Sequence, residues 1–197
     1  IDSLVNKVIE HDGLISYKHN ADGTQSPYEM NINYFDALSN PNGNEPLELQ
    51  VKRFIAAQAI MLSIIGLPGI YFHSLFGSRG WTEGVKQTGR NRTINREKLQ
   101  FDALQSQLAN ENSLGFKVFS KYSELLKIRS SSPAFDPHGT QQIIDLHPSV
   151  FAVERISPDG HTRVLCLHNV SQETISFSVN EKQISLEPYQ VFWQKIT

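Results

Sequence analysis

The stretch FIAAQAIMLSIIGLPGIYFHSLFGSRGWTEGVKQTGRNRTINREK, residues 54–98, decides how this chain is read. Residues 54–78 hold no Asp, Glu, Lys or Arg, and the loop that follows crowds Arg79, Arg90, Arg92 and Arg96 together. The uncharged run is long enough to span a bilayer, and Lys52 and Arg53 precede it as they would at a membrane boundary. Gln58, Ser63 and the break Gly66-Leu67-Pro68-Gly69 argue against a span, because Pro68 cannot continue a helix and the flanking glycines allow a sharp turn. The run therefore predicts two elements: a helix from about Glu48 to Ile65, and a buried strand at Ile70-Tyr71-Phe72. A short continuous apolar run is how a parallel strand covered on both faces reads. A rigid buried strand leading into a cationic loop is one way to build a ligand site.

Outward from this stretch, the 197 residues suffice for one large domain or two small ones. A net charge of −2 speaks against nucleic acid or a membrane surface as partner. Cys166 stands alone, which excludes an internal disulfide framework and a cysteine zinc cluster and fits a reducing, cytoplasmic setting. Ile1 opens the sequence without Met, basic n-region or cleavage signal, the pattern expected of a piece of something longer.

Upstream, Ile1, Leu4, Val5 and Val8 lie at helical spacing, ended by Gly13. Leu14–Lys18 and Tyr28–Asn31 flank Asn20-Ala21-Asp22-Gly23, the signature of a hairpin-like excursion over residues 14–31. Downstream, Glu97–Leu108 and Leu114–Arg129 read as helices, the second with an apolar face of Phe116, Phe119, Tyr122 and Leu125. After Pro137 the pattern changes to six short alternating runs separated by turn residues, predicting a small antiparallel sheet domain over 138–197. Two glycosylation triplets, at Asn91 and Asn169, are read as chance occurrences.

Few residues offer chemistry. His11-Asp12-Gly13 follows an amphipathic helix and is read as a turn rather than a catalytic pair. Asp36 is either an acid at a strand end or the cap of its own turn. The arginine loop offers planar forks of donors suited to sugar hydroxyls, carboxylates or phosphates, against the plainer reading of a solvated loop paired to Glu97 or Asp102. His73 is a core group or a site residue with equal force. GxSxG, Walker, GxGxxG and HExxH patterns are all missing, and neither a cofactor nor a metal is expected.

At this point Gly66-Leu67-Pro68-Gly69-Ile70-Tyr71-Phe72 resembles the last-strand pattern of the α-amylase superfamily, glycoside hydrolase family 13. Tyr34-Phe35-Asp36-Ala37-Leu38, Ile94-Asn95-Arg96 and Ser132-Pro133-Ala134-Phe135-Asp136 resemble, more narrowly, its sucrose phosphorylase subfamily. The resemblance implies an α/β fold, the C-terminal part of a (β/α)8 TIM barrel over residues 1–137, with a C-terminal antiparallel β domain over 138–197. It also implies a double displacement, in which a carboxylate forms a β-glucosyl-enzyme that phosphate then opens to α-glucose 1-phosphate with retention. In the family the nucleophile, the acid/base and a third Asp lie upstream of the point matching Ile1, so the segment alone is expected to be inactive.

The glucose-contacting Arg of the family falls on Arg92 when counted from Arg96, and on Arg90 when aligned on Gly-Arg. Tyr28 and Glu29 match the loop that shapes the acceptor or phosphate subsite. Glu29 stands where sucrose phosphorylases have Gln, and Ser26-Pro27 also departs from their pattern, so glucosylglycerate or sucrose 6′-phosphate are alternative substrates, as is another glycosidase of the superfamily. The implied partners are an α-glucoside and inorganic phosphate, with self-association or the missing N-terminal part of the barrel covering exposed apolar surface. From another class, the terminal β domain reads as a carbohydrate-binding module supported by helices.

Overall fold

The computed structural model describes residues 1–179 and 182–196, with Lys182 described in its backbone only. Helices run over α1 (Asp2–Glu10), α2 (Tyr34–Leu38), α3 (Leu47–Ser63), α4 (Thr82–Thr88), α5 (Phe101–Leu108) and α6 (Leu114–Ser131). Strands are β1 (Leu14–His19), β2 (Gln25–Asn31), β3 (Thr140–His147), β4 (Val150–Ile156), β5 (Arg163–Asn169), β6 (Ile175–Val179), β7 (Lys182–Leu186) and β8 (Val191–Lys195). Every strand pairing among the described residues is antiparallel. No described helix is long and apolar enough to cross a membrane. The chain falls into two compact units, one of residues 1–46 and 71–117, the other of 47–70 and 118–197.

In the first unit, α1 ends because Asp12 adopts a left-handed φ of 59°. The N–H of Gly13 then reaches back to Val8 O at 2.8 Å and that of Asp12 to Ile9 O at 3.1 Å, the paired bonds of a Schellman cap. A side chain at Gly13 would lie 2.5 Å from Val8 Cγ1, so the residue is fixed by space as much as by conformation. The turn sends the chain into β1, which pairs with β2 around Asp22-Gly23, where Asp22 Oδ1 accepts from the Thr24 N–H and hydroxyl.

In the second unit the sheet order is β3-β4-β5-β8, with β6 and β7 a separate hairpin. Both faces of β4 and β5 are covered: Ala152, Leu165 and Leu167 join one apolar cluster with Ile175 and Leu186, while Val153, Val164 and Cys166 join another with Phe135. Burial pushes the Cys166 thiol up to about 12, so it stays protonated. The C-terminal carbonyls of α3, which a helix leaves without internal partners, are taken by two guanidinium groups. Arg129 donates to Leu62 O and Gly66 O, and the fully buried Arg155 donates to Ser63 O at 3.2 Å and Asp136 O at 3.1 Å. The Phe135 ring lies against both arginines.

Two expectations are corrected. Residues Ile70-Tyr71-Phe72 form no strand: an extended segment leads into a 3-10 turn at Phe72–Phe76, and Tyr71 and Phe72 are half exposed. A parallel strand needs neighbours on its edges to pair its backbone, and the described residues present none to this segment. Helix α5 begins at Phe101 rather than Glu97, since Gln100 is extended at ψ 132° and Arg96, Glu97, Lys98 and Gln100 line a groove instead.

Candidate functional site: an arginine-lined groove

The anchor of the site is Asp36, on α2 and only 3% exposed. Its carboxylate accepts from Arg79 Nη1 at 2.7 Å and from the Gly80 N–H at 2.6 Å. His11 Nδ1 donates to the Asp36 backbone oxygen at 2.5 Å, and Asn33 donates to Arg79 O at 2.5 Å. The Arg79 guanidinium also lies 4.9 Å from the Phe35 ring centroid. Burial pushes the Asp36 carboxyl above its usual range, and the Gly80 N–H, Arg79 and His11 pull it back. Gly80 sits closely here: an added Cβ would meet Ile94 Cγ1 at 3.1 Å, tight enough that the side chain must give slightly, and Asp36 Oδ2 at 3.4 Å.

From this anchor the loop is closed by the Trp81 N–H, which donates to Ile94 O at 2.7 Å. The Trp81 indole lies flat on Gly84, so close that an added Cβ would stand 2.1 Å from Cε3. Between the two ties, α4 ends at Gly89 in a left-handed turn with φ 65°, and a 3-10 turn at Asn91–Asn95 follows. Asn91 is turned toward β1, its amide 3.4 Å from Ile15 O and from Ser16 Oγ. Arg92 Nε donates to Glu29 Oε2 at 2.8 Å, which joins the loop to β2 and raises the guanidinium's pKa further. The pair is exposed, so it orients both side chains more than it stabilises the fold.

The result is an open groove of about 1250 Å³ lined by Glu29, Trp81 and the loop. Arg90, Arg92, Arg96 and Lys98 face it together with Glu29 and Glu97, four cations against two carboxylates. That balance, with Trp81 in the wall, suits an anionic or hydroxyl-rich ligand held by planar donor forks. Among the described residues no cluster of His, Cys, Asp and Glu could hold a metal ion.

Arg90, Arg92, Arg96 and Glu29 are thus brought to one groove. Two other residues singled out from sequence lie outside its lining: Tyr28 is largely exposed, and the buried His73 is 3.0 Å from Ser78 Oγ through its Nδ1. Asp12, read as a turn residue, is one: its carboxylate accepts from Asn42 at 2.6 Å. Asp36 is neither a strand-end acid nor the cap of its own turn but the clamp on the loop's base, and Arg92 pairs with Glu29 rather than with Glu97 or Asp102. Trp81, which with Trp193 reads from sequence as too few and too separated for a sugar-stacking platform, stands in the groove lining.

Two curated proteins and one solved structure are similar to this chain. Glucosylglycerate phosphorylase of Spirochaeta thermophila is 47% identical over 87% of this chain and 29% of its own length. That of Allomeiothermus silvanus is 38% identical over 98% of this chain and 36% of its own. A crystal structure of sucrose 6F-phosphate phosphorylase from Thermoanaerobacter thermosaccharolyticum superposes with a TM-score of 0.68 at 19% identity, covering 94% of this chain and 35% of that one. Over most of its length the chain is homologous to these glucosylglycerate phosphorylases. It spans about a third of the length of the curated relatives it matches. No family model matches it.

Within the chain the motifs divide by role. Ile94-Asn95-Arg96 lies at the groove, with Ile94 buried and holding Trp81. Ser132-Pro133-Ala134-Phe135-Asp136 is architectural: Phe135 backs the two arginines that finish α3, and Asp136 Oδ1 accepts from the His138 N–H at 2.8 Å. Both glycosylation triplets are used internally, most plainly at the fully buried Asn169, which donates to Glu173 O, Leu186 O and Glu187 O.

Proposed function

We propose that this chain supplies the arginine-bearing part of a retaining α-glucosyl phosphorylase that converts an α-glucoside and phosphate to α-glucose 1-phosphate. The observation that carries the reading is the groove itself, where Arg90, Arg92 and Arg96 converge beside Glu29. Arg92 or Arg90 holds the glucosyl unit, and Arg96 with Lys98 supplies positive charge for the phosphate or a carboxylate acceptor. Tyr28 and Glu29 shape the acceptor side. The glucosyl donor most consistent with this balance is glucosylglycerate, whose carboxylate suits the excess of cations; three relatives, 34–47% identical, bear that name.

In the intact protein, residues 1–137 complete a (β/α)8 barrel, residues 14–31 form its inserted excursion and residues 138–197 its terminal β domain. The nucleophile and acid/base belong to the portion of the relatives that this chain does not match. Glucose 1-phosphate release from glucosylglycerate, sucrose and sucrose 6′-phosphate, each with phosphate, tests the assignment. The intact protein is expected to favour glucosylglycerate, and the 197-residue chain to give no turnover. Turnover by the chain alone, or a preference for sucrose, would refute it.

A further inference from the structure

The second unit carries its own cavity, of about 560 Å³, between α3, α6 and the segment leading into β8. Its apolar lining includes Ile55, Leu125 and Val191. One wall is the Tyr189 ring, which stands on a left-handed backbone with φ 54° and has the Arg53 guanidinium 4.9 Å from its centroid. That conformation is costly for a bulky residue, and here it holds the ring at the cavity wall.

The rim is polar and balanced in sign. Lys121 and Glu124 stand exposed on α6, and Lys52 and Glu187 are paired at 3.1 Å. Gln190 accepts the Glu187 N–H through Oε1 at 2.8 Å, which leaves its amide NH2 as a donor at the edge. Two ammonium groups and two carboxylates select neither anions nor cations. They do provide paired donors and acceptors around an aromatic and apolar lining. The volume falls in the range of small-ligand clefts.

From these features we infer that this cavity is a site for a neutral carbohydrate, a pyranose ring stacked against Tyr189 with its vicinal hydroxyls bridged by Lys121, Glu124 and Gln190. A pyranose has an apolar C–H face and a rim of hydroxyls that each donate and accept, the complement of such a wall and rim. The inference is independent of the phosphorylase reading, because none of its residues lines the arginine groove.

The test is amide chemical-shift mapping of the 197-residue chain titrated with methyl α-glucoside, maltose and glucose 1-phosphate. Shifts from the neutral sugars should cluster at residues 121–128 and 187–193, with saturation in the range of about 1–50 mM. Tyr189→Gly removes the ring while suiting the left-handed backbone, so it should keep the fold and weaken binding at least about tenfold. Lys121→Met should weaken binding with no change in the shifts near the arginine groove. The inference is overturned if neutral sugars shift no residue in this cavity, if Tyr189→Gly binds unchanged, or if glucose 1-phosphate binds here more tightly than methyl α-glucoside.

Discussion

Asp36 shows how a single buried carboxylate sets a loop. Its partners reach it from Arg79 and Gly80 at the loop's base, and its backbone oxygen takes His11 from the end of α1. Asp36→Asn keeps the shape but sets an amide NH2 against the Arg79 guanidinium. It is expected to cost about 1–3 kcal/mol, read as a lower urea midpoint. Because burial raises the folded-state pKa, this carboxyl takes up a proton more readily folded than unfolded. Its contribution is therefore full below the unfolded carboxyl pKa and declines as pH rises through the folded one, so Asp36 is not a source of acid lability. Gly84 is the second sensitive position. An Ala there pushes the indole of Trp81 off α4 and is expected to cost about 1–3 kcal/mol, with a red shift of tryptophan emission as the ring leaves its seat. Unchanged emission in Gly84→Ala would show that the ring does not rest on that glycine.

At the scale of elements, β5 is tied to its neighbours through one neutral imidazole. His168 Nδ1 donates to Phe151 O at 3.0 Å on β4, and its Nε2 accepts the Trp193 indole N–H at 3.0 Å from β8. Burial, opposed by the carbonyls of Phe151 and Ala59, lowers its pKa to about 4. Protonation would set a hydrogen on Nε2 against the indole N–H. The unfolded histidine titrates near its ordinary 6.5, so stability is whole above that pH, falls as pH drops toward 4, and levels off below. The loss should reach about 3 kcal/mol. Urea unfolding across this window measures it, and His168→Gln should flatten the slope whatever its effect on stability at neutral pH. The end of α3 makes the companion case. Arg155→Met leaves the Ser63 and Asp136 carbonyls buried without their donor, and an expected loss of about 2–4 kcal/mol is measurable as a lower urea midpoint at neutral pH. A loss under half of the lower figure would mean water replaces the guanidinium.

Across the whole molecule, large apolar side chains lie in solvent. Leu67 is 86% and Phe101 75% exposed, with Ile1, Leu4 and Ile9 more than half exposed. Surface of this kind is covered in stable proteins by further chain or by partners. The 197-residue chain by itself is therefore expected to associate, with a weight-average mass in sedimentation that rises with concentration and with strong binding of a hydrophobic dye. A single monomer boundary at all concentrations, without dye binding, would contradict this.

The six short runs read after Pro137 correspond to the six strands β3 to β8, because turn residues punctuate the chain between them through the local backbone; that β4 and β5 are covered on both faces was decided by the elements packed on them. Helix α3 and its termination near Gly66-Leu67-Pro68-Gly69 were legible for a similar reason, since proline and glycine act through the local backbone. The crowding of arginines was visible as composition. Their convergence was not, because it depends on Asp36 reaching Arg79 and Gly80 over more than forty positions and on Glu29 meeting Arg92 from the β1–β2 hairpin. The fate of Ile70-Tyr71-Phe72 was likewise decided in three dimensions: an apolar run is a strand only where another backbone stands beside it to take its hydrogen bonds.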